Sequence, residues 1–327
     1  MKTILIITNA KDGTADIVIK HLKEIGENFV RFNTETFPLS NTLTISCVKS
    51  DSTYIQLNGE NYSPASFKSV WYRRPEKPDF AGSALERQHK EFIEKESSAF
   101  LWSFYTLLSQ SFWVNPPLYG HRLLEHNKLF QMRDAASVGL YVPDSIVTNS
   151  FDNLLHFCED HENVMAIKTL GQHFIVDEKN PEETYLIYTN RVERDFLIQH
   201  QNDIAVAPVF AQEYVPKKIE LRITVVGDMF FTCAIDSQAS KLTQHDWRRY
   251  DFDHVKHKSY ELPEEVKQKL RFLMQRWHLN FGAIDMILTP DGKYVFLEIN
   301  PSGQWIWIER LTGMPISQTV AKLLARS

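Results

Sequence analysis

The sequence predicts an α/β domain followed by an α+β region, and three observations carry that expectation. A β-α-β order opens the chain, a long helix and a proline pair close its first third, and strands with hairpin turns fill most of the remainder. Residues 3–7 are an apolar run suited to a buried strand, and 15–25 place Ile17, Val18, Leu22 and Ile25 at helical spacing. After a turn at Gly26, residues 29–32 form the next strand, while 43–48, 54–57 and 69–72 read as three more. A helix over 85–108 leads into the strand-like 113–114. Asn115-Pro116-Pro117, which continues neither helix nor sheet, then sets the first domain at 1–114. Beyond it, 125–137 is helical to a stop near Gly139, 143–148 is a strand, 151–159 a helix and 164–168 a strand. Residues 185–189, 209–214, 221–226 and 229–235 read as strands of a mostly antiparallel sheet, with Gly227-Asp228 as a tight turn. Residues 263–277 open with Pro and two acids, which suits the positive end of a helix.

At 327 residues the chain has the length of about two domains. Its 43% hydrophobic and 24% charged residues support a sizeable core. With 36 basic and 41 acidic residues the net charge is -5, which speaks against a nucleic-acid or membrane surface and leaves room for a local basic cleft. Cys47, Cys158 and Cys233 are far apart and lack metal-site spacing, so each is expected to be a buried thiol in a reducing cytoplasm. No apolar run reaches 18 residues, so no membrane span is expected. The N-terminal MKTILIIT reads as a strand and not as a signal peptide.

The chemistry concentrates at the C-terminal hairpin over 281–300. Asp291-Gly292 signals a two-residue loop. Pro290 would then oppose Lys293, which puts Asp285 directly across from Glu298 and Asn300 on the same face as Glu298. Ile284, Met286, Val295, Leu297 and Ile299 would point into the core. Facing carboxylates repel unless a positive group lies between them. Two carboxylates and an amide suit Mg²⁺, which completes its shell with water and phosphate oxygens; chance acids on a solvent face are the plain alternative. Upstream, Lys168 ends a strand beside the loop Thr169-Leu-Gly-Gln-His173, where it is a phosphate contact or a surface lysine, and Lys128 is similar. Glu220 could accept from ribose hydroxyls and Arg222 could meet phosphate as a fork, or the two could pair across strands.

As an ordered set these residues resemble the ATP-grasp superfamily over residues 115–327. The resemblance implies two phosphate-binding lysines, Lys128 and Lys168, and an adenine hinge of Gln212, Glu213, Tyr214 and Val215. It also implies a ribose acid at Glu220 and the metal ligands Asp285, Glu298 and Asn300. The loop after Lys168 departs from it in holding a single glycine, Gly171. Val70-Trp-Tyr-Arg-Arg-Pro75, Glu220-Leu-Arg-Ile-Thr-Val-Val-Gly227, Ala234-Ile-Asp-Ser-Gln238, Asp246-Trp-Arg248 and Leu297-Glu-Ile-Asn-Pro-Ser-Gly-Gln-Trp305 look like the microviridin-type peptide macrocyclases, the graspetide ligases. That likeness spans nearly the whole chain. It implies a Rossmann-like pre-ATP-grasp domain before a two-subdomain ATP-grasp fold, with subdomains at 115–205 and 206–327.

The implied activity uses ATP and Mg²⁺, with two ions, to phosphorylate an Asp or Glu side chain of a ribosomal precursor peptide. A Thr, Ser or Lys side chain of the same peptide then closes an ω-ester or ω-amide ring. The partner would be the precursor's leader and core, with no nucleic acid or membrane and with a homodimer allowed. Arg222 and Arg248 are candidates to stabilise the oxyanion, and Lys168 to offset phosphate charge. Arg73, Arg74 and Arg248 are candidates for the substrate, although Arg248 could instead pair with Asp246 or Asp251. Asp236, His245 and Glu309 are open choices for a base. The polar run 177–183 and the strand after it, longer than a phosphate loop needs, suit either a solvated hairpin or a docking surface for the leader. His173, His245, His254 and His257 match no zinc spacing. Trp305 and Trp307 read as core or cleft walls. An intermolecular ligase of the ribosomal-protein-glutamylating type and a non-catalytic ATP-binding regulator are the alternatives.

Overall fold

The computed structural model describes residues 2–46, 53–125, 127–171, 174–177, 180 and 183–326, and the chain divides into two compact units. The first takes Met1–Pro117 with His278–Phe281 and Pro315–Ser327. It runs β1 (Thr3–Thr8), α1 (Gly13–Glu24), β2 (Phe29–Asn33), β3 (Leu43–Ser46), β4 (Tyr54–Leu57), β5 (Glu60–Tyr62), β6 (Phe67–Tyr72), α2 (Arg87–Leu107) and β7 (Phe112–Val114). A parallel sheet in the order β2-β1-β6-β7 forms its centre. Every residue of β1 is buried, as its unbroken apolar run requires. Asp12 starts α1 by accepting from the Thr14 and Ala15 amides. β3, β4 and β5 make a separate antiparallel sheet; the expected continuation of β3 to Val48 lies outside the described residues, as does Cys47. The polar β5 gave no alternation to read. A C-terminal helix, Ile316–Ala325, packs on α1. Ser69 Oγ and Lys68 Nζ donate to the carbonyls of Leu324 and Ala325 at 2.7 and 2.9 Å, near its end.

The second unit takes Leu118–Trp277 and Gly282–Met314. After a π-helical turn over Leu118–Leu124 come α3 (Lys128–Ser137), β8 (Ser145–Thr148), α4 (Phe151–Asp160), β9 (Val164–Lys168), β10 (Phe174–Val176) and β11 (Thr184–Leu186). Then follow β12 (Asn190–Glu193), α5 (Arg194–Gln199), α6 (Gln201–Ile204), β13 (Val209–Glu213), β14 (Ile219–Val226), β15 (Met229–Ile235) and β16 (His257–Ser259). The unit closes with α7 (Glu264–Arg276), β17 (Phe281–Leu288), β18 (Tyr294–Asn300) and α8 (Ile306–Thr312). One sheet has the order β12-β9-β13-β8, a second β16-β15-β14-β17-β18, and β10 pairs with β11 alone. The expected strand at 185–189 therefore splits. β11 ends at Leu186, and the Thr189 amide turns away to donate to Asp246 Oδ2 at 2.9 Å. Val226 faces Met229 across the Gly227-Asp228 turn, as the composition foretold.

The β17–β18 hairpin differs from expectation in its loop. Thr289 pairs with Lys293, and Gly292 takes φ +86, so the loop holds three residues and the adjoining register is one residue off. A bulge between Asp285 and Met286 restores it, with Leu297 as the extra residue, and Asp285 does face Glu298. The bulge also corrects the face assignment: Val295 and Leu297 pack with Ile287 and Val215 instead of joining the opposite core. No described helix is long and apolar enough to cross a membrane.

Candidate active site

A cleft in the second unit draws its walls from both large sheets. Ala166 and Lys168 of β9 and Gln212 and Glu213 of β13 supply one side, while Asp285, Ile287, Leu297 and Glu298 supply the other. Strand alternation and the Leu297 bulge turn these four C-terminal side chains into the cleft together. Ile287 and Leu297 form an apolar floor beside the acids.

Each acid already carries a basic partner. Arg222 Nη1 donates to both Asp285 oxygens, at 3.1 and 2.9 Å, and Lys128 Nζ lies 2.9 Å from Glu298 Oε2. Burial pushes both carboxyls upward. For Asp285 it wins, with the nearby Glu298 charge adding to it against Arg222. For Glu298, Lys128, Arg248 and Lys168 outweigh burial and hold it far below the usual carboxylate range. Glu298 is thus ionised at the centre of a basic ring. Asn300 lies two residues on, exposed, with Oδ1 accepting from the Ser302 amide at 2.9 Å. Gly303 is needed where it stands, since a Cβ there would lie 2.8 Å from Arg222 Nη2 and 2.3 Å from Ala283 Cβ.

Lys168 has no carboxylate within ion-pair distance among the described residues. Burial lowers its ammonium to about 8; Glu298 opposes that loss, and Lys128, Lys217 and Arg248 add to it. An undercompensated cation flanked by three others is a physical demand for an anion with several charges. In the loop that follows, Gln172 and His173 lie outside the described residues.

Arg248 forms a two-point pair with Asp246, Nε to Oδ1 at 2.8 Å and Nη2 to Oδ2 at 2.6 Å. Burial works against the Asp246 charge, but Arg248 and the Thr189 amide overcome it and hold the carboxyl at about 2. Arg248 is therefore a fixed cation at the cleft wall. Asp251 takes His254 instead, at 2.8 Å.

The hinge segment is equally well tied. Gln212 Nε2 donates to Ser145 Oγ at 3.0 Å, and the Glu213 amide donates to the Asp144 carbonyl at 2.9 Å. Tyr214 OH and His245 Nδ1 are 2.9 Å apart, and Val215 is buried on the apolar floor. Glu220 pairs with Lys217 at 3.1 Å and not with Arg222; burial raises its carboxyl against that lysine. Lys217, which no sequence pattern singled out, also donates to the His245 carbonyl at 2.9 Å. Of the three candidate bases, His245 lines the cleft, while Asp236 and Glu309 are not among its lining residues. Trp305 is fully buried, and Trp307 packs on Trp247.

In the first unit, Arg73 is 1% exposed, 3.6 Å from Asp12, and burial lowers its guanidinium to about 9 despite that carboxylate. Arg74 is exposed, and its carbonyl accepts from Asn9 Nδ2 at 2.9 Å. Both follow β6, beside the end of β1, where the sheet order reverses direction.

Residues 3–119 match the family model described as the MvdD pre-ATP grasp domain. Macrocyclase MdnC of Microcystis aeruginosa MRC, solved with precursor peptide MdnA, is 30% identical, with 99% of this chain and 100% of that chain covered and a TM-score of 0.85. MdnB of the same organism, also a macrocyclase, is 31% identical over 100% of both chains, with a TM-score of 0.79. A RiPP-associated ATP-grasp ligase of Chryseobacterium gregarium, in complex with ADP and a leader and core peptide, is 29% identical, with 99% and 97% covered and a TM-score of 0.89. No curated protein matches the chain. The pre-ATP-grasp unit, the paired sheets around a basic cleft and this full-length likeness have one reading: the chain belongs to the graspetide family of ATP-grasp ligases.

Proposed function

We propose that the cleft binds ATP with Mg²⁺ and activates an Asp or Glu side chain of a ribosomally made precursor peptide, which then closes on itself as an ω-ester or ω-amide. The observation that carries this reading is the convergence of Lys128, Lys168 and Arg248 on Glu298, in register with Asp285. The donor set fits a divalent cation with phosphate: two carboxylates face each other across the strands, and Lys168, with Glu298 as its nearest opposing charge, is crowded by Lys128, Lys217 and Arg248. Asp285, Glu298 and Asn300 would hold the metal. Mg²⁺ bound there would supply charge neutralisation on the phosphates. In this reading residues 115–205 and 206–327 act as the two subdomains, and the free, buried Cys158 and Cys233 suit a reducing cytoplasm.

The residues then divide the work. The Gln212–Val215 segment and the Ile287 and Leu297 floor would seat the adenine, and Glu220 the ribose hydroxyls. Lys128 and Lys168 would offset phosphate charge as a substrate carboxylate oxygen bonds to the γ-phosphorus and the bond to ADP breaks. Attack by a hydroxyl or amine on the acyl phosphate forms the ring, releases phosphate and gives up one proton to solvent or a base. The peptide loses the elements of one water per ring. Arg248, fixed by Asp246, would face the developing oxyanion or the incoming carboxylate. ADP release with candidate precursor peptides, with free amino acids as control, tests the reading. Water loss by mass spectrometry in the peptide arm supports it. ADP release with free amino acids alone would replace it with an intermolecular ligase, and none in either arm would favour a regulator.

The depressed Lys168 sets a pH dependence. Its charged form binds phosphate, so ADP affinity should be full below pH about 8 and fall as pH rises through that value. In Lys168→Arg, which stays charged, calorimetry should show a flatter profile. Parallel profiles would remove Lys168 from the phosphates.

We further propose that the β10–β11 hairpin docks the leader. Phe174, Ile175, Val176, Tyr185 and Leu186 are all exposed on it, a concentration of apolar side chains that water disfavours. Within the run 177–183 that joins these strands, 178, 179, 181 and 182 lie outside the described residues. Replacing 177–183 with a short Gly/Ser turn should weaken leader binding about tenfold and leave ADP affinity intact, because remote binding acts through effective concentration. Unchanged leader affinity would move the dock elsewhere.

A further inference from the structure

Beside the cleft, five aromatic side chains of the second unit close into a ring. Centroid separations are 4.9 Å for Trp247–Trp307, 5.8 Å for Trp247–Tyr250, 5.2 Å for Tyr250–Phe252, 5.7 Å for Phe252–His257 and 5.6 Å for His257–Trp307. Trp247 belongs to the cleft wall and lies 5.8 Å from the Arg222 guanidinium. At the other edge Tyr250 is 47% and Phe252 52% exposed, so two stacked rings face water in continuity with the site. Tyr250 holds φ +46, a left-handed conformation that a bulky side chain adopts at a cost. Such strain, spent on keeping a ring in solvent, suggests that the ring's position is used.

Arg249, between this ring and Arg248, supplies a second observation. Its Nη2 donates to Asn190 Oδ1 at 2.9 Å and its guanidinium lies 5.1 Å over Tyr188. Its Nε is buried without a hydrogen-bond partner among the described residues. That unmet donor, one residue before Tyr250 in the chain, leaves this wall suited to an anion, while the exposed rings suit a flat apolar group. With Arg222, Arg248 and Arg249 nearby, a cationic side chain is disfavoured there.

Building on the cleft reading, we propose that Tyr250 and Phe252 form a specificity subsite for an aromatic side chain adjacent to the carboxylate-bearing residue of the peptide. Aromatic stacking would hold that neighbour and so fix the carboxylate before activation. The test titrates two probes, the N-acetyl dipeptide amides glutamyl-phenylalanine and glutamyl-alanine, into the full chain with ADP and Mg²⁺. The phenylalanine probe should bind about tenfold more tightly. In Phe252→Ala, a change at an exposed position, the ratio should fall to about one with ADP affinity as in the wild type. Equal affinities in the wild type, no binding of either probe, or an undiminished preference in Phe252→Ala would overturn the subsite. ADP titrated alone reports separately on the cleft reading.

Discussion

Exchanging Glu298 for Gln is expected to lower peptide-dependent ADP release by about a hundredfold or more, with cooperative melting retained. Glu298 is the anion on which Lys128, Arg248 and Lys168 converge, and it directly faces Asp285. The amide keeps the shape and removes the charge that a divalent cation needs. Asp285→Asn is the poorer test of chemistry. It would leave Arg222, almost fully buried, without its partner, and breaking a buried pair costs about 3–5 kcal/mol. A sign for nucleotide binding follows from the same charges. With Glu298 neutral, the surrounding cations lose their counter-charge, so metal-free ADP should bind as tightly as before or more so, and added Mg²⁺ should help less. A Glu298→Gln enzyme with near-normal turnover would remove this acid from the mechanism.

Lys168→Ala and Arg248→Ala should fail in different ways. Lys168 lacks a carboxylate within ion-pair distance among the described residues, so its removal takes charge from the phosphates and little from the fold. ADP affinity should fall about tenfold or more, and activity with any substrate should be lost. Arg248 is locked to Asp246, which also holds the Thr189 amide. Its removal should spare most ADP affinity and reduce peptide-dependent turnover about a hundredfold. Because it leaves a carboxylate that its partner had kept near pKa 2, Arg248→Ala should also be less stable. Calorimetry and steady-state kinetics on both variants decide the matter; ADP affinity collapsing in Arg248→Ala and intact in Lys168→Ala would reverse the two roles.

Much of the site was legible because strand parity is robust. Asp285 and Glu298 share a face whichever short loop joins their strands, provided that the register is restored, and here the Leu297 bulge restores it. The assumed loop was one residue too short, yet the pairing came out the same. Lys128 and Lys168 were visible as cations at element ends. The pairings that fix Arg222 and Arg248 were not. Arg222 reaches Asp285 because β14 adjoins β17, a neighbour relation that no local pattern announces. Asp246 was readable as a partner of Arg248, but its bond to Thr189 spans 57 residues. The C-terminal helix and the helices after β12 passed unassigned, and the strand at 185–189 was read as continuous because composition gave no sign of the long-range bond that interrupts it.

In the proposed reaction a peptide carboxylate attacks the γ-phosphate of ATP. The most direct measurement uses a precursor peptide whose Asp and Glu side-chain oxygens carry heavy oxygen, incubated with unlabelled ATP and Mg²⁺. Carboxylate attack yields ADP as the nucleotide product and places one labelled oxygen in the phosphate released per ring closed. Cyclised peptide accompanied by unlabelled phosphate, or by AMP and pyrophosphate, would contradict it.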